Sequence, residues 1–407
     1  MGAGAAGLAT AIFAARRLPG RSVVALDGAR RLGAKILISG GSRCNVTNVT
    51  VTERDFWGGK RAIVRRVLRA FSAAEAASFF REIGVALLAE EDGKLFPNTN
   101  RSRTVLDALL REAERSGVIL RAGQRVLALA RRDDGFELER TAGPLRARRV
   151  VLATGGLSLP KTGSDGLGYR LAESLGHSLV ATTPALAPLV LEGSFHAPLS
   201  GLSCDVEILL RARGRDSLRL RGPMLFTHFG LSGPVALNLS RHWLRARLEG
   251  REIAVSASFL PAGGFEEAEK ALLALARSKP RATLQNALAT LVPAALAAAL
   301  LRDLQLEAGG PLSQLSREAR RAVSRALSEW PLRVKDSRGY DYAEATAGGV
   351  PLEEIDARTM ESRKCTGLHL VGEILDVDGR IGGFNFQWAW SSAFVAARGL
   401  EAGLAGA

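Results

Sequence analysis

Three groups of residues in this chain have types and spacings that could do chemistry. The first is Gly2-Ala3-Gly4-Ala5-Ala6-Gly7, which runs straight into an apolar stretch beginning at Leu8. A G-x-G-x-x-G run at a helix start lets the backbone turn tightly, approach a pyrophosphate and pack helix on strand, with phosphate at the helix N-terminus. The stretch Ser22-Val23-Val24-Ala25-Leu26 reads as the following strand and ends in Asp27, twenty residues beyond Gly7, where a carboxylate can hold ribose hydroxyls. Gly2, Gly4, Ala5, Ala6, Gly7 and Asp27 are therefore expected to bind a dinucleotide. The second group is the loop Ser39-Gly40-Gly41-Ser42-Arg43-Cys44-Asn45-Val46-Thr47-Asn48, too polar and too specific in composition for a simple linker. The third lies near the far end, where Gly372, Glu373 and Asp376 follow a strand and Gly382, Gly383, Asn385 and Gln387 lead into a helix. A strand, a Gly-rich turn and a helix N-terminus together make an anion site.

Cys44 could act alone. A thiol of ordinary pKa, about 8.5, is mostly protonated at neutral pH and can serve as a general acid; the alternative is a small buried packing residue. Cys204 and Cys365 read as packing residues. The three cysteines are far apart and form no C-x-x-C pair, which argues against a disulfide framework, a zinc site or a dithiol centre. His228 sits in a polar, Gly-flanked segment and either faces substrate or is structural.

The elements that must position these residues follow from periodicity. Helical patterns run over 60–84 and 101–116, strands over 124–130 and 135–140, and a buried strand over 149–153 that ends in Thr154-Gly155-Gly156. A short helix falls between Gly163 and Gly176. From about 188 to 260 the texture is of short strands, and 265–329 is helical. The strand 368–371 and a helix from Ser391 to Leu400 close the chain. The expected division is a cofactor domain over 1–188 and 341–407, interrupted by an inserted unit at 189–340 that is β-rich over 189–262 and helical over 263–330. One element is missing. The fingerprint normally follows a buried strand of about five apolar residues, and here only Met1 precedes it, so the expectation is that the start has been set too late.

The chain has 407 residues, is 47% hydrophobic and carries a net charge of +14. That is ample for a folded core and excludes a disordered chain. No apolar run is long enough to cross a bilayer, and a turn motif stands where a signal peptide needs a basic region, so a cytoplasmic protein without a membrane anchor or metal is expected. The positive excess is mostly Arg. It suits a polyanion, although an Ala/Arg-rich composition is also what a G+C-rich genome writes. Arg61, Arg65 and Arg69 share one helical face, as do Arg317, Arg320, Arg321 and Arg325.

Taken in order, Gly4-Ala5-Ala6-Gly7, Ile38 to Asn48, Phe226-Thr227-His228-Phe229-Gly230-Leu231-Ser232-Gly233-Pro234, Gly372 to Gly379 and Gly382-Gly383-Phe384-Asn385 resemble a family of bacterial FAD-dependent oxidoreductases. These are the aminoacetone-oxidase-type flavoproteins, which include bile-acid-pathway reductases and large-subunit rRNA dihydrouridine synthases. The resemblance covers essentially the whole chain. It implies an α/β protein with a discontinuous Rossmann-like FAD-binding domain, an inserted β-barrel-like region and a small helical subdomain. Asp27 departs from the pattern, which has Glu there.

The resemblance further implies that the glycines cradle the FAD pyrophosphate and that Lys35, Ser39, Gly40, Gly41, Arg43, Cys44 and Asn45 meet phosphate or flavin. Val126 would flank the adenine, and Thr154, Gly155 and Gly156 would make a second contact. Gly372, Glu373 and Asp376 would meet the ribityl side, while Gly382, Gly383, Asn385 and Gln387 would aim backbone N–H groups at the flavin pyrimidine. Cys44 and His228 are the catalytic candidates. The implied reaction is reduction of a C=C bond conjugated to a carbonyl, with NADH or NADPH as a transient donor because no second fingerprint is present. Uridine in rRNA, met through Arg-rich surface, is the leading substrate. A small steroid-like carbonyl compound and a non-catalytic flavin- or RNA-binding role are the alternatives.

Overall fold

The helix Ala5–Arg17 is buried from Ala6 through Ala14 and has no wet face until Arg16 and Arg17. A helix apolar all round belongs inside a fold. The long C-terminal helix Phe384–Ala405 packs along it, and Phe13 meets Phe71, Phe79 and Phe394 with ring centroids 5.3, 4.9 and 5.5 Å apart. The first and last elements of the chain thus share one core. The computed structural model describes residues 1–212, 215–261 and 263–405. It divides into two compact units, Met1–Ala185 with Tyr340–Ala407, and Leu186–Gly339.

In the first unit the parallel sheet is in two pieces. Val24–Leu26 pairs with Ile119–Arg121, and Val150–Leu152 pairs with Leu368–Leu370. Met1 and Gly2 link the pieces: Gly2 N–H donates to Leu26 O at 2.7 Å, the Met1 ammonium donates to Val151 O at 2.8 Å, and Ala153 N–H donates to Met1 O at 2.9 Å. These bonds place Met1 and Gly2 where the end of a central strand would lie. Burial there disfavours the charged ammonium more than the Asp27 carboxylate favours it, and its pKa falls from 8.0 to about 6.

The helical pattern over 60–84 resolves into two helices, Arg61–Ala70 and Ala73–Glu82. Ser72 separates them with a capping box, its hydroxyl accepting from Glu75 N–H while the Glu75 carboxylate accepts from Ser72 N–H. The pattern over 101–116 forms Ser102–Arg115, and the two alternating runs form the hairpin Val126–Arg132 and Gly135–Arg140. The hairpin gains a third strand, Leu145–Ala147. The final helix begins at Phe384, seven residues before the expected Ser391.

The second unit carries an antiparallel seven-stranded sheet in the order Trp330–Pro331, Ile253–Ser258, Ser203–Ala212, Arg215–Thr227, Gly230–Ser232, Leu189–Leu191, Val334–Ser337. Its two end strands are not paired to each other, so among the described residues the expected barrel-like region is an open sheet. Within the span expected as short strands lies a helix, Pro234–Leu248. Its signal was Gly233-Pro234, since Pro suits the first helical position, where no N–H is needed. The helices Phe265–Ser278, Ala294–Asp303 and Arg317–Ser328 complete the unit's core with Leu272, Leu300 and Leu327.

Candidate cofactor site

The turn before the first helix is defined by close backbone contact. Gly2 has φ +87°, and a methyl group on Gly7 would stand 1.8 Å from Gly2 O. Gly4 is the opposite case, since a methyl there would meet no protein atom within 4 Å. Its side of the turn is open. Asp27 fixes the turn from below: Oδ2 accepts from Ala3 N–H and Oδ1 from Ala29 N–H, both at 2.7 Å. Each oxygen retains accepting capacity for a ribose hydroxyl.

Three distant segments meet at Lys35. Its Nζ donates to Glu373 Oε2 at 2.7 Å and to Ser158 Oγ at 2.5 Å, and Ser158 Oγ donates to Glu373 Oε1 at 2.6 Å. Thr346 N–H donates to the same Oε1 at 3.1 Å, while Thr346 Oγ1 accepts from Leu157 and Ser158 N–H. Lys35 and Glu373 are largely spent on each other, which makes them the tie that holds the loop after Thr154-Gly155-Gly156 against the C-terminal segment.

The loop at 39–48 contains the end of the helix Ala34–Ser42, which breaks at Ser39 and passes through left-handed Gly40 and Gly41. Ser42 and Cys44 also adopt positive φ, 67° and 62°. Cys44 is fully enclosed, bonded to Ser39, and burial pushes its thiol up to about 12. It holds its proton and reaches no open surface. Arg43 points away from phosphate duty: its guanidinium pairs with Glu90 and lies 4.0 Å from the centre of the Phe96 ring.

At the other end, the Asn385 amide clasps Gly379, accepting from its N–H at 2.8 Å and donating to its C=O at 3.0 Å. Gly382 O accepts from Asn48 Nδ2 at 3.2 Å, and Gly383, at φ +90°, lies against the Thr47 carbonyl. Gln387 departs from expectation. Its N–H is bonded to Gly383 O at 2.9 Å, and its side chain accepts from Thr47 Oγ1 and donates to Phe71 O and Ser391 Oγ. It is a buried clamp, and the N–H groups without an intrahelical acceptor are those of Phe384, Asn385 and Phe386. Gly372 is pinned by Ser392 Oγ and Trp388 Nε1, and Asp376 O accepts from Gly59 N–H at 2.7 Å.

The residues fit a dinucleotide on two observations besides Gly4. Asn45 Oδ1 and Thr154 Oγ1 are buried without a hydrogen-bond partner, both within expected contact segments, and such atoms ordinarily have one. Gly155 and Gly156 follow Thr154 directly, whereas Val126 is buried in its strand. Sequence reasoning missed Ser158, Thr346, Asn48, Gly59 and Ser392. Asn48 lay within the motif already singled out; the others had no local signal.

His228 belongs to the second unit, where its ring is exposed and edge-on to Phe229, and its carbonyl accepts from the His196 imidazole. A separate constellation has the hydrogen-bond order of a hydrolytic triad. Ser362 Oγ lies 2.8 Å from His177 Nε2, and His177 Nδ1 lies 2.7 Å from Glu354 Oε2. It is sealed, however, since the His177 side chain has no exposure and Ser362 Oγ also accepts from Lys364 and Cys365 N–H. The group is a structural clasp. Among the described residues no group of three or more His, Cys, Asp or Glu is placed to hold a metal ion, and no helix is long and apolar enough to cross a membrane.

A family model described as the HI0933-like protein Rossmann domain matches residues 1–399. The chain belongs to this family. Its members are FAD-binding oxidoreductases of Rossmann type. Over 398 residues the chain is 34% identical to a 3-dehydro-bile acid delta(4,6)-reductase of Clostridium scindens, spanning 98% of this chain and 97% of that one. Over 402 residues it is 33% identical to a ribosomal RNA dihydrouridine synthase of Escherichia coli, spanning 99% and 97%. Among solved structures, a quinol-fumarate reductase with menaquinol aligns over 98% of this chain and 70% of its own at 16% identity and a TM-score of 0.52. A 3-ketosteroid delta1-dehydrogenase from Sterolibacterium denitrificans aligns over 99% and 98% at 12% identity and a TM-score of 0.51. These two likenesses are of fold alone.

Gly4→Ala and Gly7→Ala separate binding from folding. Gly4→Ala is expected to leave the Tm of the FAD-free protein unchanged and to weaken flavin retention at least tenfold, whereas Gly7→Ala lowers both, as read by thermal melts and bound-flavin absorbance. His177→Ala, which strands the Ser362 and Glu354 groups, is expected to cost about 2–4 kcal/mol in denaturant titrations.

Proposed function

We propose that this FAD-dependent oxidoreductase reduces a C=C bond conjugated to a carbonyl, and that its substrate is uridine in large-subunit rRNA. The observation that carries this reading is the full-length similarity to a ribosomal RNA dihydrouridine synthase. The net charge of +14 favours it over a steroid substrate, because arginines that neutralise phosphates release counterions. Bound FAD supplies the hydride. Gly2, Gly4 and Gly7 would take its pyrophosphate, Asp27 its adenosine ribose, and Asn45 and Thr154 the polar atoms they now lack. The start of the helix Phe384–Ala405 would offer its positive end to negative charge on the flavin pyrimidine. NADH or NADPH would dock transiently.

A uridine in folded RNA must be extruded to be reduced. The proton goes to the carbon beside the one that receives hydride. Cys44 is enclosed, with its thiol held protonated by burial, and Cys44→Ala is therefore expected to leave kcat within a few-fold and flavin content unchanged, as read by steady-state kinetics and bound-flavin absorbance. The similarity to the bile-acid reductase favours a second reading, reduction of a small conjugated carbonyl compound. Mass-spectrometric quantification of dihydrouridine in purified large-subunit rRNA decides between them. Loss of the nucleoside on gene deletion and its return on complementation support the rRNA reading; unchanged levels overturn it.

A further inference from the structure

The helix Arg61–Ala70 and the segment 353–363 form the two walls of a groove of about 350 Å³ in the first unit. Its apolar floor is given by Ala62, Ile63 and Ala357, and charged side chains line it as well: Arg66 on the helix wall, and Glu353, Asp356, Arg358 and Arg363 on the other. The acids are already answered within the groove. Glu353 lies 3.9 Å from Lys60 Nζ, and Asp356 is held by Arg358 through its guanidinium and its N–H. Arg66 makes no ion pair among the described residues, and Arg363, whose charge also acts on Asp356, hydrogen-bonds through Nε to Ile355 O at 3.3 Å, leaving its terminal nitrogens without a hydrogen bond. Two guanidinium groups on opposing walls are thus left with unspent donors over an apolar floor. Arg69, one turn on and about 60° round the helix from Arg66, adds a further positive charge beside it, and the helix contains no acidic residue.

We propose that this groove is a docking site for the RNA strand, with Arg66 and Arg363 gripping backbone phosphate and the apolar floor receiving an adjacent nucleoside. The inference rests on the rRNA reading above. Guanidinium forks match phosphate oxygens in geometry as well as charge, and an apolar floor between them suits the flat face of a sugar or base better than it suits a free inorganic anion. The location is also apt. The helix wall follows directly from Gly58 and Gly59, whose backbone packs on Asp376 in the candidate cofactor site.

The test is binding of the FAD-loaded protein to a fluorescent fragment of large-subunit rRNA across a salt series. Arg66→Gln with Arg363→Gln is compared with the charge-keeping pair Arg66→Lys and Arg363→Lys, and with Arg317→Gln and Arg321→Gln on the second unit. The Gln pair at the groove is expected to weaken binding about tenfold or more at physiological salt and to lower the slope of log affinity against log salt by roughly 1.5. Flavin content and Tm stay at wild-type values. The Lys pair is expected to keep the slope, and the distant Gln pair to change binding by less than threefold. Salt-dependent binding by the wild type with no loss in the groove Gln variant, or an equal loss in the distant one, overturns the groove and leaves the rRNA reading standing. Absence of salt-dependent RNA binding by the wild type overturns both.

Discussion

Everything in the first unit depends on two backbones being allowed to touch. Gly7 lies so close to the Gly2 carbonyl that no side chain fits between them, and that contact sets the angle at which the first helix leaves the sheet. The helix then lies against the C-terminal helix, and the C-terminal helix carries the Gly-rich turn of the candidate site. A methyl group at residue 7 would therefore act at both ends of the chain. Asp27 reinforces the contact by accepting from Ala3 N–H within the turn and from Ala29 N–H in its own loop, so its carboxylate serves the fold before it serves any ligand.

Charges near the site are mostly used to join segments. Lys35, Ser158 and Glu373 form a closed set of short hydrogen bonds, and each member satisfies part of what the next requires. Breaking such a set by removing one member strands the others in partly buried surroundings, which costs more than the net worth of any one bond. Arg43 follows the same habit, paired with Glu90 and stacked on Phe96.

Legibility in the sequence followed the range of the interaction. Gly2, Gly7 and Asp27 act within a single βαβ unit, where spacing alone implies geometry, and the Rossmann assignment followed from them. Capping signals were as local, yet Ser72 with Glu75 and Gly233 with Pro234 were passed over because periodicity on both sides suggested one continuous texture. Gln387 was misjudged for a different reason. Its place in a Gly-rich helix start suggested a free N–H, but the helix begins three residues earlier and consumes it. The partners of Lys35 could not be read at all, since Glu373 lies 338 residues away and only the folded sheet brings the two together.

The first and last elements of the chain share one core, with the whole of the second unit inserted between them. On the ribosome, the helix Ala5–Arg17 emerges apolar on nearly every side and must wait through the synthesis of almost the entire polypeptide for its partner. The second unit can complete its own sheet meanwhile, because all seven strands lie within its span. The order of maturation thus need not follow the order of synthesis: the inserted unit has all its strands before the C-terminal helix is made, and the Gly-rich turn gains its packing partner only once that helix is available. Until then the opening helix is a natural client for a chaperone.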